Sequence, residues 1–212
     1  LNTMLLGTQV ALTKPRSAPE YREALEAHAE ETAALARMVD DMLFLARAEN
    51  AAVALRGQPV DLAAEARAAA AYYRALADER GIRISVRGEA SILADRALLQ
   101  LVLSNLLSNA IRHGAANKPV AIDIARERAA VTVVVRNAGS AIPPERLARL
   151  FERFYTGDSA RTTDAGSSGL GLAIVKAIVG LHGGQITVAS DAEDTRFAVT
   201  LPIEITMQVE KA

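Results

Sequence analysis

The sequence predicts an α+β protein. An N-terminal antiparallel helical hairpin, half of a dimeric four-helix bundle, is followed by an α/β sandwich with a mixed sheet covered on one face by helices. Three observations carry this reading. Apolar residues recur at heptad spacing up to about residue 46. Beyond Pro59 the pattern switches between periods of 3.6 and 2. The chain has 212 residues and is 50% hydrophobic, enough to bury a core in one or two domains.

The elements follow in order. Leu1, Met4, Leu5 and Leu12 recur at helical spacing, and a polar stretch at 13–18 interrupts them. Ser17-Ala18-Pro19-Glu20 then has the spacing of a capping box, with Pro in the first turn where it is tolerated. Leu25, Thr32, Val39 and Ala46 recur every seven residues, with His28, Leu35 and Met42 at the other seam position. Two helices could not bury this seam alone, so a homodimer through the hairpin is expected. Arg56-Gly57-Gln58-Pro59 supplies a helix stop. The domains are therefore placed at 1–56 (hairpin), 57–60 (linker) and 61–206 (sandwich), with a tail at 207–212. Within the sandwich the pattern predicts an Ala-rich helix at 62–80, strands at 82–86 and 91–94, and a helix at 95–112. Strands at 120–124 and 130–136, a helical stretch at 143–151, a polar loop at 155–168 and a helix at 169–181 come next. A hairpin at 185–190 and 196–201 closes the domain.

Composition narrows the function. With 24 basic and 25 acidic residues the net charge is −1, which gives no basic field for nucleic acid. Cysteine is absent, which excludes disulfides and thiolate metal sites and fits a reducing compartment. No apolar run reaches the ~18 residues of a membrane helix. The chain begins at Leu1, inside a helical pattern, so a fragment of a longer protein is expected.

The chemistry concentrates in three stretches. In SNLLSNAIRHG at 104–114, Leu99, Leu103, Leu106, Leu107 and Ala110 share one helical face, while Asn105, Asn109 and Arg112 share the other, with His113 at the end. Two carboxamides one turn apart can ligate Mg²⁺, a hard ion that takes one or two protein oxygens and the rest from phosphates and water. They can equally be a solvated helix face. Gly166-x-x-Gly169-x-Gly171 precedes an amphipathic helix, where backbone amides and the helix N-terminus suit an anion. The spacing is neither the Rossmann fingerprint nor the P-loop, and such a turn can also be a plain loop. Between them, Asn137-Ala-Gly139-Ser-Ala-Ile142 follows a strand, and Phe151-Glu-Arg153-Phe154-Tyr155 introduces the polar loop.

In this order and spacing these stretches resemble the N, G1, F and G2 boxes of the GHKL ATP-binding fold shared by histidine kinases, DNA gyrase and MutL. The preceding hairpin resembles the dimerisation and phosphotransfer region of bacterial sensor histidine kinases, with Leu1-Asn-Thr-Met similar to the continuation of the acceptor motif. MVDDMLFLARAEN at 38–50 is most similar to the heavy-metal branch, the copper and silver sensors. The resemblance covers essentially the whole chain. It implies ATP and Mg²⁺ as cofactors, and transfer of the γ-phosphate to a histidine and then to an aspartate of a response-regulator receiver domain. It also implies the cytoplasmic portion of an inner-membrane sensor, attached to the membrane only through segments outside this chain.

By matching position, the resemblance makes Asn109 the principal metal ligand, with Asn105 beside it. Arg112, His113, Arg153 and Arg161 would face the phosphates. Gly166, Ser168, Gly169, Leu170 and Gly171 would form the lid hinge and anion-binding helix start. Asn137, Gly139, Ile142, Tyr155, Leu172 and Thr195 would complete the ATP site around the adenine. The chain departs from the pattern in three places. The acceptor histidine is absent, and of His28, His113 and His182 only His28-Ala-Glu-Glu-Thr32 superficially mimics its motif. His28 falls on the helix seam and lacks the adjacent acid, so a packing role is expected; His182, before Gly183-Gly184, is expected to be a structural cation at a helix end. The fragment should thus bind ATP without phosphorylating itself. Asn137 stands where most of the wider family has Asp. Ala141 and Asp194 stand where glycines are usual. Two rival readings remain: a non-catalytic nucleotide-binding or helical dimerisation module, and a GHKL ATPase of another class, which the hairpin argues against.

Overall fold

The computed structural model describes residues 2–15, 17–50, 53–156 and 168–204. The chain forms two compact units, residues 1–43 and residues 44–212. In the first, α1 (Asn2–Leu12) and the start of the long α2 (Ala18–Glu49) make the hairpin. The Glu20 carboxylate accepts from both the backbone N–H and the hydroxyl of Ser17 at 2.7 Å, anchoring the first turn of α2. The two helices approach closely at Gly7, where a Cβ would lie 3.0 Å from Nε2 of His28. The sequence seam divides in two. His28 and Leu35 are half-buried, whereas Leu25, Val39 and Met42 stay exposed, as do Leu5, Leu6, Val10 and Leu12 of α1.

The second unit begins with a difference from the sequence reading. Residues expected to form a linker are a strand, β1 (Gly57–Asp61), which begins before the predicted start of the sandwich. The compact units divide between residues 43 and 44, well before residue 56. β1 is followed by α3 (Leu62–Tyr72), α4 (Arg74–Glu79), β2 (Ile84–Arg87) and β3 (Ser91–Asp95). β1 pairs antiparallel with β3 in a two-stranded ribbon. Val60 is buried there, and Pro59, which cannot donate, is tolerated because a two-stranded ribbon leaves one edge of β1 unpaired.

The remaining elements are α5 (Arg96–His113), β4 (Val120–Arg126), β5 (Ala130–Asn137), α6 (Pro144–Leu147), α7 (Gly171–Leu181), β6 (Gln185–Ser190) and β7 (Thr195–Pro202). The main sheet has the order β2-β4-β5-β7-β6, with β2 and β4 parallel and every other neighbour antiparallel. Alternate residues of the central strands, Ile122, Val133, Val135, Phe197 and Val199, are buried where β4 meets α3, β5 meets α5 and β7 meets α7. Each such side chain stabilises by about 1.5–3 kcal/mol, so the mixed sheet covered by helices follows from the alternation seen in the sequence.

Two helices differ from expectation. The stretch 62–80 breaks at Tyr73 (φ −86°, ψ 5°), whose hydroxyl meets that of Ser104 on α5 at 2.7 Å. The break redirects the chain so that Arg80 reaches the far end of α5. The stretch 143–151 is helical only at Pro144–Leu147, because beyond it Arg149, Leu150 and Glu152 bond three residues back in tight turns.

Candidate functional site

The site is built around α5. Asp95 caps its start, accepting from the Leu98 amide at 3.2 Å. Leu99, Val102, Leu103, Leu106, Leu107, Ala110 and Ile111 are buried along one face. The opposite face carries Asn105, Asn109 and Arg112, all half-buried, with His113 exposed at the end. Hydrophobic spacing alone therefore fixes which face the polar groups occupy.

β5 delivers the second part. Asn137, its last residue, is 4% exposed and stands opposite Thr195, the first residue of β7. The loop that follows lies on the end of α5: the Ala115 amide donates to the Ala138 carbonyl at 2.8 Å, and a Cβ on Gly139 would lie 3.1 Å from the His113 carbonyl oxygen. Glycine is what allows that approach. The Asn137 side chain donates through Nδ2 to the Ala138 carbonyl at 3.3 Å. Further on, the Ile142 amide donates to the Ser190 hydroxyl at 3.0 Å, and that hydroxyl meets the Thr195 hydroxyl at 2.8 Å. Ser190 thus ties the loop to the sheet; the sequence reading missed it, since no motif marks a serine at the end of β6. Near it, the Asp191 carboxyl is held below the usual carboxylate range, first by the Glu193 and Asp194 amides that donate to it and then by Arg196.

The third part is the start of α7. Gly169 has φ +67°, and its carbonyl accepts from the Phe154 amide at 3.0 Å. A Cβ there would stand 2.7 Å from the Phe154 carbonyl carbon, so only glycine fits. Phe154 itself adopts φ +62°. These two residues clamp together the chain on either side of 155–168. Leu170 is fully buried, and its amide donates to the Ser168 hydroxyl at 3.3 Å. A Cβ on Gly171 would lie 2.8 Å from Oδ1 of Asn105, so α7 starts directly against the carboxamide face of α5. Leu172 is half-buried in the first turn. Arg161 and Gly166 lie outside the described residues.

Two of the expected site residues have partners that the sequence did not suggest. Arg153 is ion-paired with Glu49, at the end of α2. The Tyr155 ring carries the Arg149 guanidinium 4.7 Å from its centroid, and Arg149 also bonds Glu152 at 3.0 Å. His182 is structural, as expected. It is 2% exposed, its Nε2 accepts from the Asp95 amide at 3.1 Å and its Nδ1 lies 2.8 Å from the Ile178 carbonyl, which ties the end of α7 to the start of α5.

The residues present fit a magnesium-nucleotide. Nδ2 of Asn105 is buried without a partner, a donor whose hydrogen bond a ligand oxygen can satisfy. Among the described residues no three His, Cys, Asp or Glu side chains cluster to hold a metal.

The sequence and the fold have counterparts among known proteins. The family model described as histidine kinase-, DNA gyrase B-, and HSP90-like ATPase matches residues 94–205. The chain is 42% identical over 204 residues to sensor protein CzcS of Cupriavidus metallidurans, covering 96% of this chain and 43% of that protein. It is 44% identical to sensor protein IrlS of Burkholderia pseudomallei (90% and 41%) and 39% identical to sensor histidine kinase CusS of Escherichia coli (95% and 42%). The chain thus spans about two fifths of the length of these relatives. Among solved structures, full-length ShkA in complex with AMPPNP superimposes with a TM-score of 0.76 at 27% identity, over 96% of this chain and 43% of that one. The histidine kinase AdeS of Acinetobacter baumannii shares the fold, with a TM-score of 0.79 at 21% identity over 95% and 92% of the two chains.

Proposed function

We propose, from the premise that this chain belongs to the family of histidine kinase-, DNA gyrase B- and HSP90-like ATPases, that it is the kinase core of a metal-responsive sensor histidine kinase. It binds Mg-ATP and passes the γ-phosphate to a histidine outside these 212 residues, from which a response-regulator aspartate receives it. The observation that carries this reading is the meeting of Asn105, with its unpartnered buried amide, and Gly171 at the start of α7. Two motifs far apart in sequence thereby face one space.

In this reading Asn109 and Asn105 would hold the ion, whose chemistry there would be to offset the charge of the phosphates. Arg112 and His113 add positive charge and donors beside the phosphates. Asn137, Gly139 and Ile142, held by Ser190 and Thr195, receive the base. Arg153 reaches the phosphates only by exchanging Glu49 for them. The chain's task is positioning and charge stabilisation, which phosphoryl transfer chiefly needs. Two of the three histidines are poor receivers: both ring nitrogens of His182 are engaged, and Nε2 of His28 lies against Gly7. The exposed seam on α1 and α2 is assigned to a homodimer. No described helix is long and apolar enough to cross a membrane, and the kinase core is assigned to the cytoplasmic side of a membrane sensor. ShkA was solved with AMPPNP, and ThkA with the response regulator TrrA; a nucleotide and a receiver domain are the partners proposed here.

Titration of the chain with ATP in a calorimeter tests this directly. Saturable heat with magnesium, loss of most of it with a chelator, and no acid-labile phosphate on the chain are expected. No heat and no thermal shift with MgATP would instead leave a helical dimerisation module, and acid-labile labelling would place the acceptor within the chain.

Asn137 bears on base selection. A carboxylate only accepts, which favours the adenine amino group over guanine, whereas a carboxamide can rotate and donate. Asn137→Asp replaces a neutral hydrogen bond with a charge-assisted one. It is expected to tighten ATP binding by up to about tenfold and to sharpen discrimination against GTP. Equal ATP-to-GTP ratios in both proteins would remove Asn137 from base recognition.

A further inference from the structure

The end of α5 poses a problem that the site residues do not solve. The last carbonyls of a helix lack intrahelical donors and carry partial negative charge. Here they stand beside Arg112 and His113, where the nucleotide reading puts a polyanion. The common remedy is a left-handed glycine just past the helix end. Gly114 does not provide it, because its φ is −65° and its ψ 147°. The group that meets these carbonyls is Arg80. Its guanidinium donates to the Ile111 carbonyl at 2.5 Å, to the Arg112 carbonyl, and to the Gly114 carbonyl at 3.1 Å. The Arg80 backbone is fixed in turn, its amide donating to the Ala77 carbonyl and its carbonyl accepting from the Asn117 amide, each at 3.0 Å.

The same turn of chain is gripped from its other side by the loop after β5. Ala115 donates to the Ala138 carbonyl at 2.8 Å, and the Gly139 Cα faces the His113 carbonyl. A Cβ on Gly114 would stand 3.7 Å from that of Asn137. Residues 111–115 are therefore the junction between the phosphate-facing end of α5 and the base-facing loop. One planar cation with fork geometry sets the orientation of three of their carbonyls.

We propose that Arg80 is a positioning residue of the nucleotide site: by clamping the Ile111, Arg112 and Gly114 carbonyls it fixes the phosphate-facing end of α5 relative to the base-facing Asn137–Gly139 loop, and it neutralises the helix end beside the triphosphate. The inference rests on the nucleotide reading above. It makes a distinction that simple capping does not. A ligand that spans both halves depends on their relative placement, whereas one that occupies only the base half does not.

The test uses the full chain and its Arg80→Ala and Arg80→Lys variants, each well below its own melting temperature. MgATP is titrated by calorimetry and adenosine by chemical-shift perturbation. R80A is expected to lose MgATP affinity by on the order of tenfold or more while adenosine changes by less than about threefold. R80K, whose ammonium reaches one carbonyl where the fork reaches three, should fall between, and it carries the same readout if R80A does not fold. MgATP affinity equal to the parent's in the folded variants, whatever the fall in melting temperature, would overturn the proposal. So would equal weakening of MgATP and adenosine, which marks general loosening. Absence of MgATP binding by the parent would overturn the nucleotide reading and this inference together, whereas parental binding with indifferent variants removes Arg80 alone.

Discussion

Gly169→Ala is expected to raise the dissociation constant for MgATP by about a hundredfold while leaving most of the fold intact. The backbone at 169 is left-handed, which costs a residue with a Cβ about 1–2 kcal/mol. The new methyl would also stand 2.7 Å and 2.9 Å from the Phe154 carbonyl carbon and Cα. These are backbone atoms, so no side-chain rotation relieves the contact. The chain must release either the hydrogen bond from the Phe154 amide to the Gly169 carbonyl or the placement of Leu170, which is fully buried. The hydrogen bond is the weaker hold, at about 0.5–1.5 kcal/mol, against about 1.5–3 for the leucine. The clamp therefore opens, and the start of α7 loses its registration against Asn105. Gly171→Ala makes the informative comparison. Its methyl meets only the end of the Asn105 side chain, which can swing away, so a smaller loss of affinity is expected. Calorimetry of both variants with MgATP, beside their circular dichroism, decides the point. Affinity within about threefold of the parent in G169A would show that the clamp has no part in nucleotide binding.

What the sequence disclosed, and what it did not, divides by the range of the interaction responsible. α5 was legible almost to the residue, because the apolar spacing from Leu99 to Ala110 is local. β4, β5, β6 and β7 were legible because strict alternation states which face is buried. The break at Tyr73 was not, since it is stabilised by a contact with Ser104 that helical spacing cannot foresee. β1 was hidden behind Pro59 and a partner strand some thirty residues away. The site shows the same division. Asn105, Asn109 and the glycines before α7 carried motif spacing, and the structure brings Asn105 against Gly171. Ser190 and Arg80 carried none, because each acts through backbone atoms remote in sequence. Arg153 was assigned by position in a motif, whereas its partner Glu49 belongs to another element altogether. His182 was read from its place at a helix end, but its bond to the Asp95 amide, far off in sequence, was not foreseen.

That amide belongs to the residue whose loss is expected to cost the most stability. The Asp95 carboxylate joins two parts of the chain: one oxygen accepts from the Leu98 amide at the start of α5, and the other from the Arg56 amide, at 3.0 Å, just before β1. Asp95→Ala removes an N-cap worth about 1 kcal/mol and leaves the Arg56 amide without its acceptor, at about 1–3 kcal/mol more. For a chain of this length the sum of about 2–4 kcal/mol lowers the melting temperature by about 5–15 °C. Asp95→Asn separates the two roles. A carboxamide caps a helix well through its oxygen, but it then turns its NH₂ toward the Arg56 N–H, donor against donor. Hydrogen exchange should therefore speed at both Leu98 and Arg56 in D95A, and at Arg56 alone in D95N. Parental protection of Arg56 in D95N would show that the carboxylate does not hold the segment after α2. MgATP affinity supplies the contrast. α5 has 18 residues, so its capped start lies about 27 Å from the end that faces the phosphates, and D95N should bind nucleotide as the parent does. The place where the segment before β1 is fastened and the place proposed to hold ATP are then opposite ends of one helix, separable by mutation although joined by a single rigid element.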